Sequence, residues 1–310
     1  MSKRAQVSDD EDSGSDSLVD VAFDFLSPNP SVDYHAIKRL LQQLFGRDHE
    51  LFNLHELTEL ILEQNHIGST IKTDGEESDP YALLTVLNMH TNHEHPSMKA
   101  LAQYCLSKSS EAASSSKATA QDKSLQAQLQ ALFSQSENHV GLVICERLIN
   151  MPVEVIPPLY NMLKDEVRGA VAQGFPYNFS HLLFISRAYH LSADEESALQ
   201  NSVPASQARK KKTKSKKARP SVSSKYSEEA RPEDGIYSFH AEDALISELS
   251  SHTLNYTYTT PPPPIQQESR GKDAFGLDTR GRMMLLPLRG EGGDVWDTLA
   301  ERMSKIYGVN

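Results

Sequence analysis

The chain has little of several things that usually announce a function. It carries two cysteines, Cys105 and Cys145, in 310 residues, too few for a disulfide framework. Both lie in apolar stretches, so reduced, buried thiols of a cytosolic or nuclear protein are expected. No apolar run approaches the roughly 18–20 residues needed to cross a bilayer, so no membrane partner is expected. The opening residues are acidic and small, without the apolar core of a secretory signal. The signatures of nucleotide, metal and hydrolase chemistry are missing too: there is no P-loop, GxGxxG, HExxH, GxSxG or CxxC. Carboxylates are abundant, but spacing alone does not bring two of them into one cleft, and no catalytic, cofactor or metal residue is nominated.

What is present is unevenly distributed charge. Lys and Arg total 31 against 42 Asp and Glu, a net charge of -11. A mean hydropathy of -0.50 points to folded sequence diluted by long polar segments. Residues 1–17 hold Asp9, Asp10, Glu11, Asp12 and Asp16 among Ser and Gly, which reads as a disordered acidic tail. Ser8 and Ser13 each precede an acid by three positions, so phosphorylation there would add negative charge. The Ser/Ala-rich stretch 107–124 reads as a flexible insertion, and 192–235 as a longer one. Pro261 to Pro264 reads as a polyproline II spacer.

At the centre of the second insertion lie Arg209, Lys210, Lys211, Lys212, Lys214, Lys216, Lys217 and Arg219, with no acid among them. Like charges this dense must be solvated. Capture by an acidic nuclear import receptor is the preferred reading. No aromatic residue interleaves the lysines and the chain is acidic overall, so nucleic acid is not expected as a partner.

Between the polar segments, strands and helices alternate. Val19, Val21, Phe23 and Phe25 alternate with Asp20, Ala22 and Asp24, a half-buried strand. Asp33 is placed to cap a helix over 34–45, and Asn53 a second one. Strands are expected at 67–72, 81–89, 140–145, 181–189, 236–239, 252–259 and 282–288. Helices are expected from Pro96, around 125–133, over 152–171, 241–249 and 294–306, with Pro157 and Pro158 either interrupting the third of these or setting its start. His90, His93 and His95 form the one metal-like cluster, but no second ligand pair of zinc spacing accompanies them, and a solvated loop is expected. The pattern gives an α+β class: a single mixed sheet flanked by helices, with residues 18–308 as one domain.

Several strings resemble one family. Leu40-Leu41-Gln42-Gln43-Leu44-Phe45, Gln64 to Lys72 (QNHIGSTIK), Val140 to Asn150 (VGLVICERLIN) and His181 to Ser186 (HLLFIS) occur in order and resemble the BCCIP family of nuclear proteins, which includes the yeast Bcp proteins. The resemblance covers roughly residues 18–308. It implies a twisted mixed sheet similar to the GCN5-related acetyltransferase fold, without that activity and without a cofactor. It implies a non-enzymatic binding protein that chaperones or escorts a basic large-subunit ribosomal protein in ribosome biogenesis. Export cargo, repair factors or cell-cycle proteins are further partners that it implies. The expected location is the nucleus, with shuttling to the cytoplasm.

An acetyltransferase with a degenerate cofactor loop is the alternative. That class holds the coenzyme A pyrophosphate on backbone N–H groups of a Gln/Arg-x-x-Gly-x-Gly/Ala loop opening a helix. The nearest string here, Arg289 to Asp294 (RGEGGD), puts Asp294 at the final small position, and Glu291 and Asp294 would repel the anion.

Overall fold

The computed structural model describes residues 22–64, 66–202, 232, 234–262, 278–290 and 293–308. The acidic tail, residues 19–21 of the expected first strand and the basic cluster at 209–219 lie outside the described residues. Eight strands make one sheet: β1 (Asp24–Leu26), β2 (Ser69–Lys72), β3 (Ala82–Asn88), β4 (His139–Arg147), β5 (Phe179–His190), β6 (Ile236–Ser238), β7 (His252–Tyr256) and β8 (Asp278–Pro287), in the order β1-β2-β3-β4-β5-β8-β7, with β6 on β5. A small hairpin, β9 (Arg289–Gly290) with β10 (Gly293–Asp294), follows β8. All pairings in the main sheet are antiparallel except β4 with β5.

That parallel pair needs a crossover, which helix α5 (Ile156–Ala172) supplies. Pro157 and Pro158 do not interrupt it. They sit in its first turn, where a missing N–H costs no helical hydrogen bond.

Helices cover both faces. On one lie α1 (Tyr34–Phe45), α2 (Leu54–Leu62), α3 (Pro96–Ser114) and α4 (Ala120–Phe133), packed on Leu142, Ile144, Leu183, Ile185, Met283 and Leu285. On the other lie α5, α7 (Asp243–Leu249) and α8 (Val295–Tyr307), packed on Val143, Leu182, Phe184, Met284 and Leu286. Successive strand residues point to opposite faces. Because both faces are covered, the central strands are apolar without alternation, which explains the unbroken run at 140–145.

Asp33 stands at the start of α1 but its side chain does not cap it. The carboxylate is fully buried and accepts from Lys72 Nζ at 2.6 Å and from Asn29 N–H at 2.8 Å, tying α1 to β2. Asn53 does cap α2, accepting from Glu56 N–H.

The insertion expected at 107–124 is mostly helix. α3 runs on to Ser114, and α4 begins at Ala120, leaving five residues between them. Two forces beat the linker-like composition. Alanine is the strongest helix former, and Lys108, only 3% exposed, lays its ammonium over the rings of Tyr104 and Tyr256. Thr119 and Asp122 then form a capping box that starts α4. The 192–235 insertion likewise begins with a helix, α6 (Ala193–Ser202), whose first turn is held by Ser192 and Glu195.

Candidate interaction site

β4 and β5 stay paired only as far as Val143 and Phe184. Beyond that point β8 holds one edge of β5, and β6 takes the other at Ala188–His190. β4 and β5 therefore separate, and a notch opens between their C-terminal ends. Notches at the carboxyl ends of separating parallel strands are where ligands usually enter α/β sheets.

Here the notch is filled by charge. Glu146, fully buried, accepts from Gln43 Nε2 at 2.8 Å, Arg187 Nε at 2.9 Å and His240 Nε2 at 3.0 Å. Arg147 pairs both terminal nitrogens with the two oxygens of Glu242. Asp243 accepts from the Ser186 hydroxyl at 2.6 Å. Arg187 also lies over the ring of Phe239. Burial alone would raise the Glu146 carboxyl, but His240 and Arg187 outweigh it and hold the group at about 2. Burial likewise opposes a charge on His240, yet Glu146 raises its pKa above the ordinary value. Burial pushes Asp243 up to about 6.

His240, Glu242 and Asp243 all come from the segment that re-enters the fold after the long insertion. Three buried acids on strand-helix junctions leave no periodic signal, so sequence pattern could not find this cluster. The space left beside Cys145, Tyr160 and Ser186 is about 10 Å³. That is room for about one water, whereas small-molecule sites measure roughly 300–1,000 Å³. Nor does the RGEGGD string cradle an anion: Arg289–Gly290 and Gly293–Asp294 pair as a hairpin, and Asp294 caps α8 with its own carboxylate.

Two grooves of ligand size open at the opposite end of the sheet. The first, about 630 Å³, lies between α5 and α8 over Phe179, Leu288 and Trp296. Its rim carries Arg168, which bonds Asp294 at 2.5 Å and Asp297 at 2.9 and 3.0 Å. Val171 and Phe175 are exposed beside it. The second, about 680 Å³, lies between α3 and the end of α4, with Met89, Met98, Leu106 and Phe133 as its apolar lining.

The histidine loop borders the second groove but does not gather a metal centre. His90 is turned to Val140 and Leu132, while His93 meets the His90 carbonyl and Glu94. Among the described residues no three His, Cys, Asp or Glu side chains converge on one point. No helix among them is long and apolar enough to cross a membrane. Cys105 and Cys145 are both free, and burial pushes the Cys105 thiol up to about 12.

The comparisons agree with the strings. The family model for BCCIP matches residues 18–246. The chain is 38% identical to Protein bcp1 of Aspergillus fumigatus over 281 residues, covering 90% of this chain and 86% of that protein. It is 36% identical to Protein bcp1 of Schizosaccharomyces pombe, covering 94% and 91%. It is similar in fold to the crystal structure of BCP1 from Saccharomyces cerevisiae, with a TM-score of 0.53, 24% identity, and coverage of 96% and 98%. With the matched model spanning most of its length and these relatives matched nearly end to end, the chain belongs to the BCCIP family.

Proposed function

We propose that this chain is a non-enzymatic nuclear binding protein that escorts a basic large-subunit ribosomal protein during ribosome assembly. The observation that carries the reading is the filled notch. A fold with a parallel, separating strand pair, as in the acetyltransferases it is proposed to resemble, needs that space for a thioester donor. Here it holds the Glu146–Arg187–His240 cluster. Pro157 and Pro158 also remove two N–H groups from the first turn of α5, weakening that helix end as an anion site.

Charge supports a cationic guest. Beside the net charge of -11, exposed Asp74, Glu76, Glu77 and Asp79 lie on the β2–β3 turn. Asp194, Glu195 and Glu196 begin α6, and Asp278 begins β8 at the same end of the sheet. A guest whose surface is normally neutralised by RNA would meet a complementary field there, which speeds encounter. Affinity would come from a few apolar anchors; the two grooves offer space for them at the other end of the sheet, so a guest that used both would span it.

The test is solubility. Purified chain mixed with a basic large-subunit ribosomal protein at low salt gives an equimolar soluble complex that dissociates as salt rises. A guest that precipitates regardless sinks the proposal. Arrival in the nucleus is assigned to Arg209, Lys210, Lys211, Lys212, Lys214, Lys216, Lys217 and Arg219 through an import receptor.

A further inference from the structure

An imidazole at the grooved end is fixed in a neutral form by its hydrogen bonds. Met89 N–H donates to Val140 O at 3.0 Å, the last backbone bond between β3 and β4. The Val140 N–H then donates to His90 Nδ1 at 3.1 Å, so a ring nitrogen continues the ladder. The other nitrogen, Nε2, donates to Leu132 O at 3.0 Å, in the last turn of α4. A ring with one accepting and one donating nitrogen is neutral.

His139 stacks on His90, with centroids 5.2 Å apart and planes 4° from parallel. Its Nδ1 meets the Asn88 amide nitrogen at 2.9 Å. Asn88 Oδ1 is taken by the N–H groups of His90 and Thr91, at 2.9 and 3.2 Å. The amide nitrogen must therefore be the donor, to His139 and to Pro176 O. His90 Nδ1 is an acceptor, so a further proton there breaks its bond to Val140.

We infer that His90, with His139 stacked on it, is a proton-sensitive latch: neutral, it pins the end of α4 and the start of β4 to the loop after β3; protonated at Nδ1, it releases that joint and opens the wall of the α3–α4 groove. The charged surroundings favour release once a proton arrives. The same loop contributes His93 and Glu94, and α3 contributes Lys99. Glu94 is already bonded to Lys99 at 2.7 Å and His93 at 3.1 Å, so it does not compensate a new cation. The turn after α4 brings Glu137, which is exposed, and Gln135, which is uncharged. On β5, His181 is bonded to Gln128. Burial first, and then His139 and His93, keep His90 below the ordinary histidine value, against the pull of the Leu132 carbonyl.

The test is amide hydrogen exchange on the full chain between pH 7.5 and 5.5, corrected for intrinsic rates. Protection at Val140 is expected to fall below the His90 midpoint by up to about tenfold per pH unit, the limit for one linked proton. In His90→Gln, whose amide oxygen accepts without titrating, Val140 stays protected throughout. In His139→Gln the loss moves to higher pH, because a neighbour that opposes the charge on His90 is gone. The latch is overturned if Val140 protection in the parent chain does not change with pH, or if it falls equally in His90→Gln. Should His90→Gln fail to fold, the His139→Gln shift decides: an unmoved midpoint overturns the latch.

Discussion

The two ends of the sheet are built on opposite principles. Where β4 and β5 separate, buried charged groups have hydrogen-bonded partners and leave about 10 Å³ of space among the described residues. Where β4 and β5 begin, the helices stand apart over apolar floors and leave two grooves. The first end holds the segment that follows the insertion onto the core, and the second keeps two open apolar grooves. The difference teaches that a fold can fill the notch between separating strands with buried charge and still keep open grooves elsewhere.

The comparison breaks most visibly at Glu146. Replacing it by Leu strands Arg187 and His240 without a counter-ion, and removing one partner of a buried pair costs about 3–5 kcal/mol. Urea unfolding should show that loss for Glu146→Leu. Val171→Asp, on the exposed rim of the α5–α8 groove, should stay within about ±0.5 kcal/mol of the parent. If the two substitutions cost the same, the ends do not differ as described.

The histidines at the two ends should respond oppositely to pH. Glu146, held at about 2 against an unfolded value of 4.5, contributes stability that is present above 4.5 and lost as pH falls toward 2. His240 is raised above 6.5, so its contribution is complete below 6.5 and lost as pH rises through its folded value. His90 is lowered, so the favourable packing of its neutral ring is complete above 6.5 and erodes on acidification below it. His240→Gln should therefore destabilise more at pH 6 than at pH 8.5. Equal losses at the two pH values would contradict the charged state of His240.

The smallest effect on stability belongs to the basic cluster. Changing Lys210, Lys211, Lys212, Lys216 and Lys217 together to Ala should leave the unfolding midpoint nearly unchanged while the protein moves from nucleus to cytoplasm. At 34.5 kDa the chain is small enough to diffuse through pores, so the imaging needs a fused cargo large enough to prevent that. Unaltered nuclear accumulation of the fusion would contradict the import assignment.

Much of the sheet was legible in the sequence because burial writes itself as pattern. The α1 helix has the expected bounds, since Ile37, Leu40, Leu41, Leu44 and Phe45 line one face. The apolar runs at β4 and β5 revealed central strands. Both helices of the α3–α4 pair were expected, but the helical ends within 107–124 were not legible, because Ser and Ala serve a linker and a helix equally well. The Thr119–Asp122 capping box was their one local signal. The notch was illegible for another reason. Gln43, Glu146, Arg187 and His240 lie far apart in sequence, and only the fold brings them together. Asp33 shows the same limit, since a good capping residue was drawn away by Lys72 across the sheet.

The most direct test of the closed notch is calorimetric titration of the full chain with acetyl-CoA. The account predicts only heats of dilution up to millimolar donor, with the basic guest still bound in the same solution. Saturable micromolar binding of the thioester, or its turnover, would contradict it.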